Sequence, residues 1–291
     1  MPIRNVSDTA RWVAVYRAME SERSDALFHD PYARRLAGER GEAIVRELPL
    51  GRSVAWAMVV RTALIDELTL ACIADGARTV LNLGAGLDTR AFRLDLPKGL
   101  LWIDADLPTI VEQRRRDLDS GTARCQHRHV EADLGDAAAR AEVFAMADDG
   151  PGPLLVLTEG LLVYLAAAQV DGLARQLSAG SRARWWITDL LSPWVLNTVC
   201  ALWQPQLRAA GSGLSFAPAD STAFFAACGW TEASYRSIWD ESLRLKRPAP
   251  FADWFQAVPG WGGFGLPSPL RRMAGVALLE RAPPPDQKVP G

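Results

Sequence analysis

Residues 80–90 read VLNLGAGLDTR. Val80, Leu81 and Leu83 form a short apolar run that breaks on Gly84 and Gly86. A run of this length bounded by glycine reads as a buried strand ending in a turn. Glycine at such a turn removes the Cβ and lets backbone N–H groups come close to a ligand. In an open α/β sheet, ligands sit in the crevice at the carboxyl ends of the strands. The dinucleotide fingerprint needs a third glycine three residues after Gly86, and Thr89 stands there instead. That departure argues against a nicotinamide dinucleotide, because the third glycine permits close packing of the helix on the strand.

Working outward, strand and helix signals alternate. TVLNL (79–83), LLWIDADLP (100–108), RHVEADL (128–134), the run starting at Leu154 and ARWWITDLL (183–191) are strands. Helical segments lie between them, as in a parallel sheet covered on both faces. TEASYRSIW and MAGVALLER are the last two strands, antiparallel at one edge. Upstream, residues 1–76 read as a helical cover. In it TARWVAVYRAMESER is one helix, Pro31 opens a second that closes near Gly38, and a long apolar helix ends at Gly76. The expected architecture is an α/β, mostly parallel seven-stranded sheet. Residues 77–281 form the ligand-binding domain with a helical insertion at about 192–220, and residues 282–291 (APPPDQKVPG) are a disordered tail.

The strand ends carry acids. Asp106 lies twenty residues beyond Gly86, with Asp104 two before it. An acid at the end of a second strand accepts hydrogen bonds from ribose hydroxyls. Asp133, followed by Leu134, ends the third strand, where it suits an exocyclic adenine amine with an apolar neighbour against the ring. Glu159 ends the fourth. Taken singly, each acid is as well explained as a helix cap. Together they would repel a pyrophosphate and suit a nucleoside with a positive centre, as in S-adenosylmethionine with its ammonium and sulfonium.

Composition narrows the class further. The chain has 291 residues, a net charge of −2 and 23% charged residues, with no excess that would draw nucleic acid or a membrane surface. No uncharged apolar stretch is long enough to span a bilayer, and the N-terminus has no signal-peptide core, so a cytoplasmic enzyme is expected. Cys72, Cys125, Cys200 and Cys228 are scattered, and His127 and His129 lack a zinc spacing, so no metal is expected. The run Arg114–Arg116 reads as a solvated helix face.

The stretches VVRTALIDE, VLNLGAGLDTRAFRL, IDADLPTIVEQR, EADL and LTEGLLVYL occur in that order. They resemble the leucine carboxyl methyltransferase family of class I methyltransferases, over roughly residues 10 to 190. The resemblance implies S-adenosylmethionine as cofactor and S-adenosylhomocysteine as product. It also implies roles for particular residues. Arg61 would pair with the methionyl carboxylate, and Gly84, Ala85 and Gly86 would offer backbone contacts. Asp106, or Asp104 beside it, would hold the ribose; Asp133 and Leu134 would hold adenine. Glu159 would lie near the ammonium and sulfonium. The family's D-x-P acid usually follows Glu-Val, whereas Asp106 follows Asp104-Ala105.

The expected activity is methyl transfer to oxygen, on a carboxylate or phenol of a small, aromatic or polyketide-like acceptor. His29 and Tyr164 are weak candidates for catalysis, and the shortage of a convincing base favours a carboxylate acceptor. Trp194 and Trp203 in the insertion, with Trp254 and Trp261, are candidates to line the acceptor pocket. The first helices and residues 192–220 are expected to close over the strand ends as a lid. Two other readings compete: a protein C-terminal carboxyl methyltransferase, and a non-catalytic nucleoside-binding scaffold.

Overall fold

A computed structural model describes residues 6–209, 213–250 and 271–282. Trp254, Trp261 and the tail beyond residue 282 lie outside these residues.

Seven strands form one sheet: β1 (Thr79–Leu83), β2 (Leu101–Asp106), β3 (Gln126–Glu131), β4 (Leu154–Thr158), β5 (Ala183–Leu191), β6 (Trp230–Ser237) and β7 (Ala274–Arg281). Their order is β3-β2-β1-β4-β5-β7-β6. β1 pairs in parallel with β2 and with β4. The chain therefore reverses its direction of travel across the sheet beside β1, which opens the crevice at the end of that strand. Every residue of β1 and β4 is buried, as expected where helices cover both faces. The antiparallel strand is β7, and it does not form the edge: it lies between β5 and β6 and runs against both.

Three helices precede the sheet: α1 (Val6–Ser21), α2 (Ala33–Glu47) and α3 (Ala55–Ala74). α2 does not stop at Gly38. It kinks there, with φ +58°, and continues to Glu47. A side chain at +58° would be strained, so glycine serves here as a hinge within the helix rather than as its end. α3 is apolar on several sides because it lies between the sheet and α1, in one core with Val80, Trp102, Leu155 and Trp185. The opposite face of the sheet is covered by α6 (Ala137–Asp148) and α7 (Ala167–Gly180). Between α3 and α6 in sequence come α4 (Arg90–Arg93) and α5 (Pro108–Asp117). After β5 come α8 (Pro193–Ala209), α9 (Ala223–Ala226) and α10 (Ile238–Arg244). Trp203 of α8 meets Trp12 of α1 edge to face, with centroids 5.0 Å apart, and forms a small separate core with Ile44 and Leu48 of the α2 end. None of the described helices is long and apolar enough to cross a membrane.

Candidate active site

The glycine turn is built by two left-handed residues, Gly84 at φ +65° and Gly86 at φ +52°. A Cβ on Gly84 would sit 3.0 Å from Leu161, and one on Gly86 would sit 3.3 Å from Ala10 of α1. The turn is therefore pressed between the loop after β4 and the N-terminal cover. Thr89, where a third glycine would stand, is fully buried and donates its hydroxyl to Asp30 at 2.6 Å. Asp30 also accepts from Arg17 at 2.8 Å, and Arg17 reaches on to the carbonyl of Leu87. A threonine here fastens the cover to the turn, a job glycine could not do. His29 is exposed, while its neighbour Asp30 is the residue turned inward. Exposure sets His29 apart from the buried Arg17, Asp30 and Thr89 contacts.

The two acids of β2 face different tasks. Asp106 takes the Gly86 N–H on one oxygen at 2.6 Å and the Leu107 N–H on the other at 2.7 Å. Burial pushes its carboxyl up from the usual range, although both backbone N–H groups oppose the rise. Each oxygen keeps a second lone pair for a further donor. Asp104, by contrast, is only 1% exposed and surrounded. It accepts from Asn82, from the Trp102 indole, from Arg114 and from the His127 ring. Arg114 and His127 hold its carboxyl well below the usual range despite the burial. With its acceptor sites filled by the protein, Asp104 has none left for a ribose, which corrects its place among the cofactor candidates.

Arg114 itself overturns the reading of its run as a solvated face. Its side chain is fully buried and also donates to the carbonyls of Gly86 and Asp88, at 3.0 and 2.7 Å. Only Arg115 and Arg116 are exposed. Ligand atoms of Asp104, His127 and His129 lie within 4.8 Å of one another, a spacing a metal could use. The Arg114 guanidinium already supplies the positive charge there, so a dication would meet repulsion in a buried place.

Across the crevice, Glu159 follows β4. It accepts from Arg61 at 3.0 Å and from Arg90 at 2.7 Å. These two guanidiniums depress its carboxyl to about 2, against the opposing effect of burial. Arg61, from the middle of α3, also donates to Asp189 at 2.9 Å. Arg90 bonds Asp66 and Asp88 as well, and Arg93 bonds Asp66. Counted through these ion pairs, three guanidiniums (Arg61, Arg90, Arg93) face four carboxylates (Asp66, Asp88, Glu159, Asp189), leaving one negative charge. Tyr164 sits beside this network, bonded to Thr9 of α1, and burial raises its phenol above the ordinary value.

Asp133 is exposed just past β3, with one oxygen taken by the Gly135 N–H at 2.9 Å; Leu134 is buried beside it. Trp203 is 5% exposed and donates its indole N–H to the Pro49 carbonyl at 2.9 Å, so it belongs to the small core and not to the surface of a pocket among the described residues. Trp194 is 65% exposed and turns outward. A cleft of about 270 Å³, lined by Leu190, Ser192, Asp220 and Arg272 among others, opens past the end of β5, and no residue of the glycine turn lines it. Sequence reasoning missed Arg17, Asp30, Arg90 and Asp189. The only signal for Asp189 was an acid near the end of the fifth strand, repeating the pattern of the second, third and fourth.

A seven-stranded sheet in this order, with its one reversed strand second from the edge and an acid-rimmed glycine turn after β1, defines a class I methyltransferase. The profile of the leucine carboxyl methyltransferase family matches residues 10–178. A Streptomyces coelicolor protein named for S-adenosyl-L-methionine-dependent methyl transfer is 34% identical over 278 residues, covering 91% of this chain and 95% of its own. A similarly named Mycolicibacterium smegmatis protein is 36% identical over 200 residues, 60% of this chain and 63% of its own. Among solved structures, a DUF574 family protein from Streptomyces avermitilis superimposes with a TM-score of 0.60 at 14% identity, over 94% of this chain and 97% of its own. A Thermobifida fusca protein described as a methyltransferase gives 0.59 at 16% identity, with 97% of each chain covered. The chain belongs to the leucine carboxyl methyltransferase family.

Proposed function

We propose that this S-adenosylmethionine-dependent methyltransferase transfers the methyl group to a carboxylate oxygen of a small, largely apolar acceptor. The cofactor, when bound, supplies an electrophilic methyl carbon on a sulfonium. In this reading Asp106 accepts from the ribose hydroxyls with its remaining lone pairs. Asp133 and Leu134 take the adenine edge and face. Glu159 faces the ammonium and sulfonium, and Arg61 faces the methionyl carboxylate, where a guanidinium fork suits its geometry. The single negative charge left on the arginine–carboxylate network complements a ligand of net charge +1.

One observation carries the choice of nucleophile. Tyr164 is the ionisable side chain beside the network that has no ion-pair partner in it, and burial holds its phenol protonated. It can donate a hydrogen bond but cannot take a proton near neutral pH. His29 is exposed, and His127 and His129 lie on β3, where His127 serves Asp104. Among the described residues the crevice therefore offers no poised histidine or phenolate base. An acceptor carboxylate, ionised at neutral pH, needs none, whereas a phenol with a pKa near 10 would benefit from one. The role of the protein is then to align the acceptor oxygen behind the methyl group and to exclude water.

The test is incubation with S-adenosylmethionine and a panel of paired aromatic acids and phenols, read by mass spectrometry. The expected products gain one methyl group and lose it again in mild base, as esters do. Base-stable ethers formed from the phenols alone would contradict the reading.

A further inference from the structure

The geometry points to Asp189 as a positioning residue that holds Arg61 in place to receive the carboxylate of the cofactor. This inference rests on the proposed role of Arg61. Asp189 lies near the carboxyl end of β5, where it is paired with Val276 of β7, so its backbone is fixed by the sheet. Its side chain is 14% exposed. One oxygen accepts the Gly160 N–H at 2.7 Å, and the other accepts from Arg61 Nη1 at 2.9 Å. Gly160 directly follows Glu159 and has φ +64°, so the first bond pins the turn that aims Glu159. The second pins the guanidinium, whose Nε is already bonded to Glu159 at 3.0 Å. With Nε and Nη1 engaged, Nη2 is the guanidinium nitrogen left to meet a ligand.

Both neighbours of Asp189 are donors, and this makes the inference specific. A carboxylate accepts on each oxygen. The isosteric amide of asparagine accepts on one side only and turns an N–H₂ toward the other donor. Asparagine must then release either Gly160 or Arg61. Charge favours keeping the carbonyl oxygen on Arg61 and releasing the neutral Gly160 N–H, so asparagine keeps a hold on the guanidinium, whereas leucine, of similar shape, keeps none. Asp189 would then act on the ligand through Arg61 and not by direct contact.

Two ligands isolate that path: S-adenosylhomocysteine and its decarboxylated analogue, which keeps the adenosine, thioether and amine and lacks only the carboxylate. For the wild-type protein, titration calorimetry should show S-adenosylhomocysteine binding about tenfold more tightly or better, the value of one charge-assisted bond. In Asp189→Leu that ratio should collapse toward one, while the affinity for the decarboxylated analogue stays near the wild-type value; Asp189→Asn, which keeps an acceptor on Arg61, should retain most of the ratio. Arg61→Met should abolish the ratio as well, and adding Asp189→Leu to it should change nothing further. A ratio that survives in Asp189→Leu overturns the inference. So does an equal loss of both ligands, since the aspartate would then be serving the fold or the ammonium. Failure of the underlying reading looks different: the wild type would bind both ligands equally, or neither.

Discussion

Arg114 and His129 are neighbours of one buried carboxylate and illustrate how single residues here carry energy that the surface does not reveal. Asp104 is kept ionised by Arg114 and His127 within a fully packed environment. Removing one partner of a buried pair leaves the other charge uncompensated, at a cost of about 3–5 kcal/mol. Arg114→Met should therefore lower the unfolding free energy by that order in urea titrations, and Arg114→Met with Asp104→Leu should recover part of it. His129 makes the opposite kind of contribution. Both ring nitrogens are buried without a partner, and burial, with Arg114 nearby, depresses its pKa to about 4. The unfolded chain then binds a proton that the folded chain refuses between pH 6.5 and 4. Stability from this source is present above pH 6.5 and is lost as pH falls through that window. The loss is about 1–2 kcal/mol by pH 5, where Glu159, depressed to about 2, has not yet begun to contribute much. His129→Phe should flatten the fall in melting temperature between pH 7 and pH 5, and an unchanged fall would assign it to other groups.

At the scale of elements, α1 is held to the glycine turn at one end by Arg17, Asp30 and Thr89, and to α8 by the Trp12–Trp203 contact. A small core around Trp203, Ile44 and Leu48 joins α8 to this cover, while the rest of α1 and α2 packs with α3 into the large core on one face of the sheet. Trp203→Ala should remove about 3–5 kcal/mol of local packing. Hydrogen exchange should then accelerate in α1 and the end of α2 while the protection of β1 and β4 stays as it was. Uniform acceleration across the sheet would mean that the cover and the sheet open as one unit. The sequence made the helices of this cover legible through their apolar spacing, but not their joints. Thr89 reads only as a missing glycine until Asp30 is seen beside it, because a contact across 59 residues leaves no local trace. Trp203 looked like a pocket residue because tryptophan suits both roles, and only the partner decides. Gly38 looked like a helix end because glycine marks ends and kinks alike.

For the whole molecule, the succession of strands along the chain and the acids at their ends were legible because a parallel sheet repeats one signal: an apolar run, a polar end and a helix. β7 was harder to place, since insertion of a last strand between β5 and β6 follows from pairing and not from any feature of its own sequence. Asp104 and Asp106, two residues apart on one strand, could not be separated by sequence for the same reason: what divides them is Arg114, ten residues on and delivered by α5. That division also supports the proposal that the crevice after β1 is an adenosyl site with Asp106 as its ribose acid. The most direct test is calorimetric titration of the wild-type protein and Asp106→Ala with S-adenosylmethionine, S-adenosylhomocysteine and NAD. The account predicts binding of both adenosyl ligands, weakened about tenfold or more in Asp106→Ala as expected for lost bonds to a charged acceptor, and no binding of NAD. Equal affinity of the variant for the adenosyl ligands, or no adenosyl binding by the wild type, would contradict it.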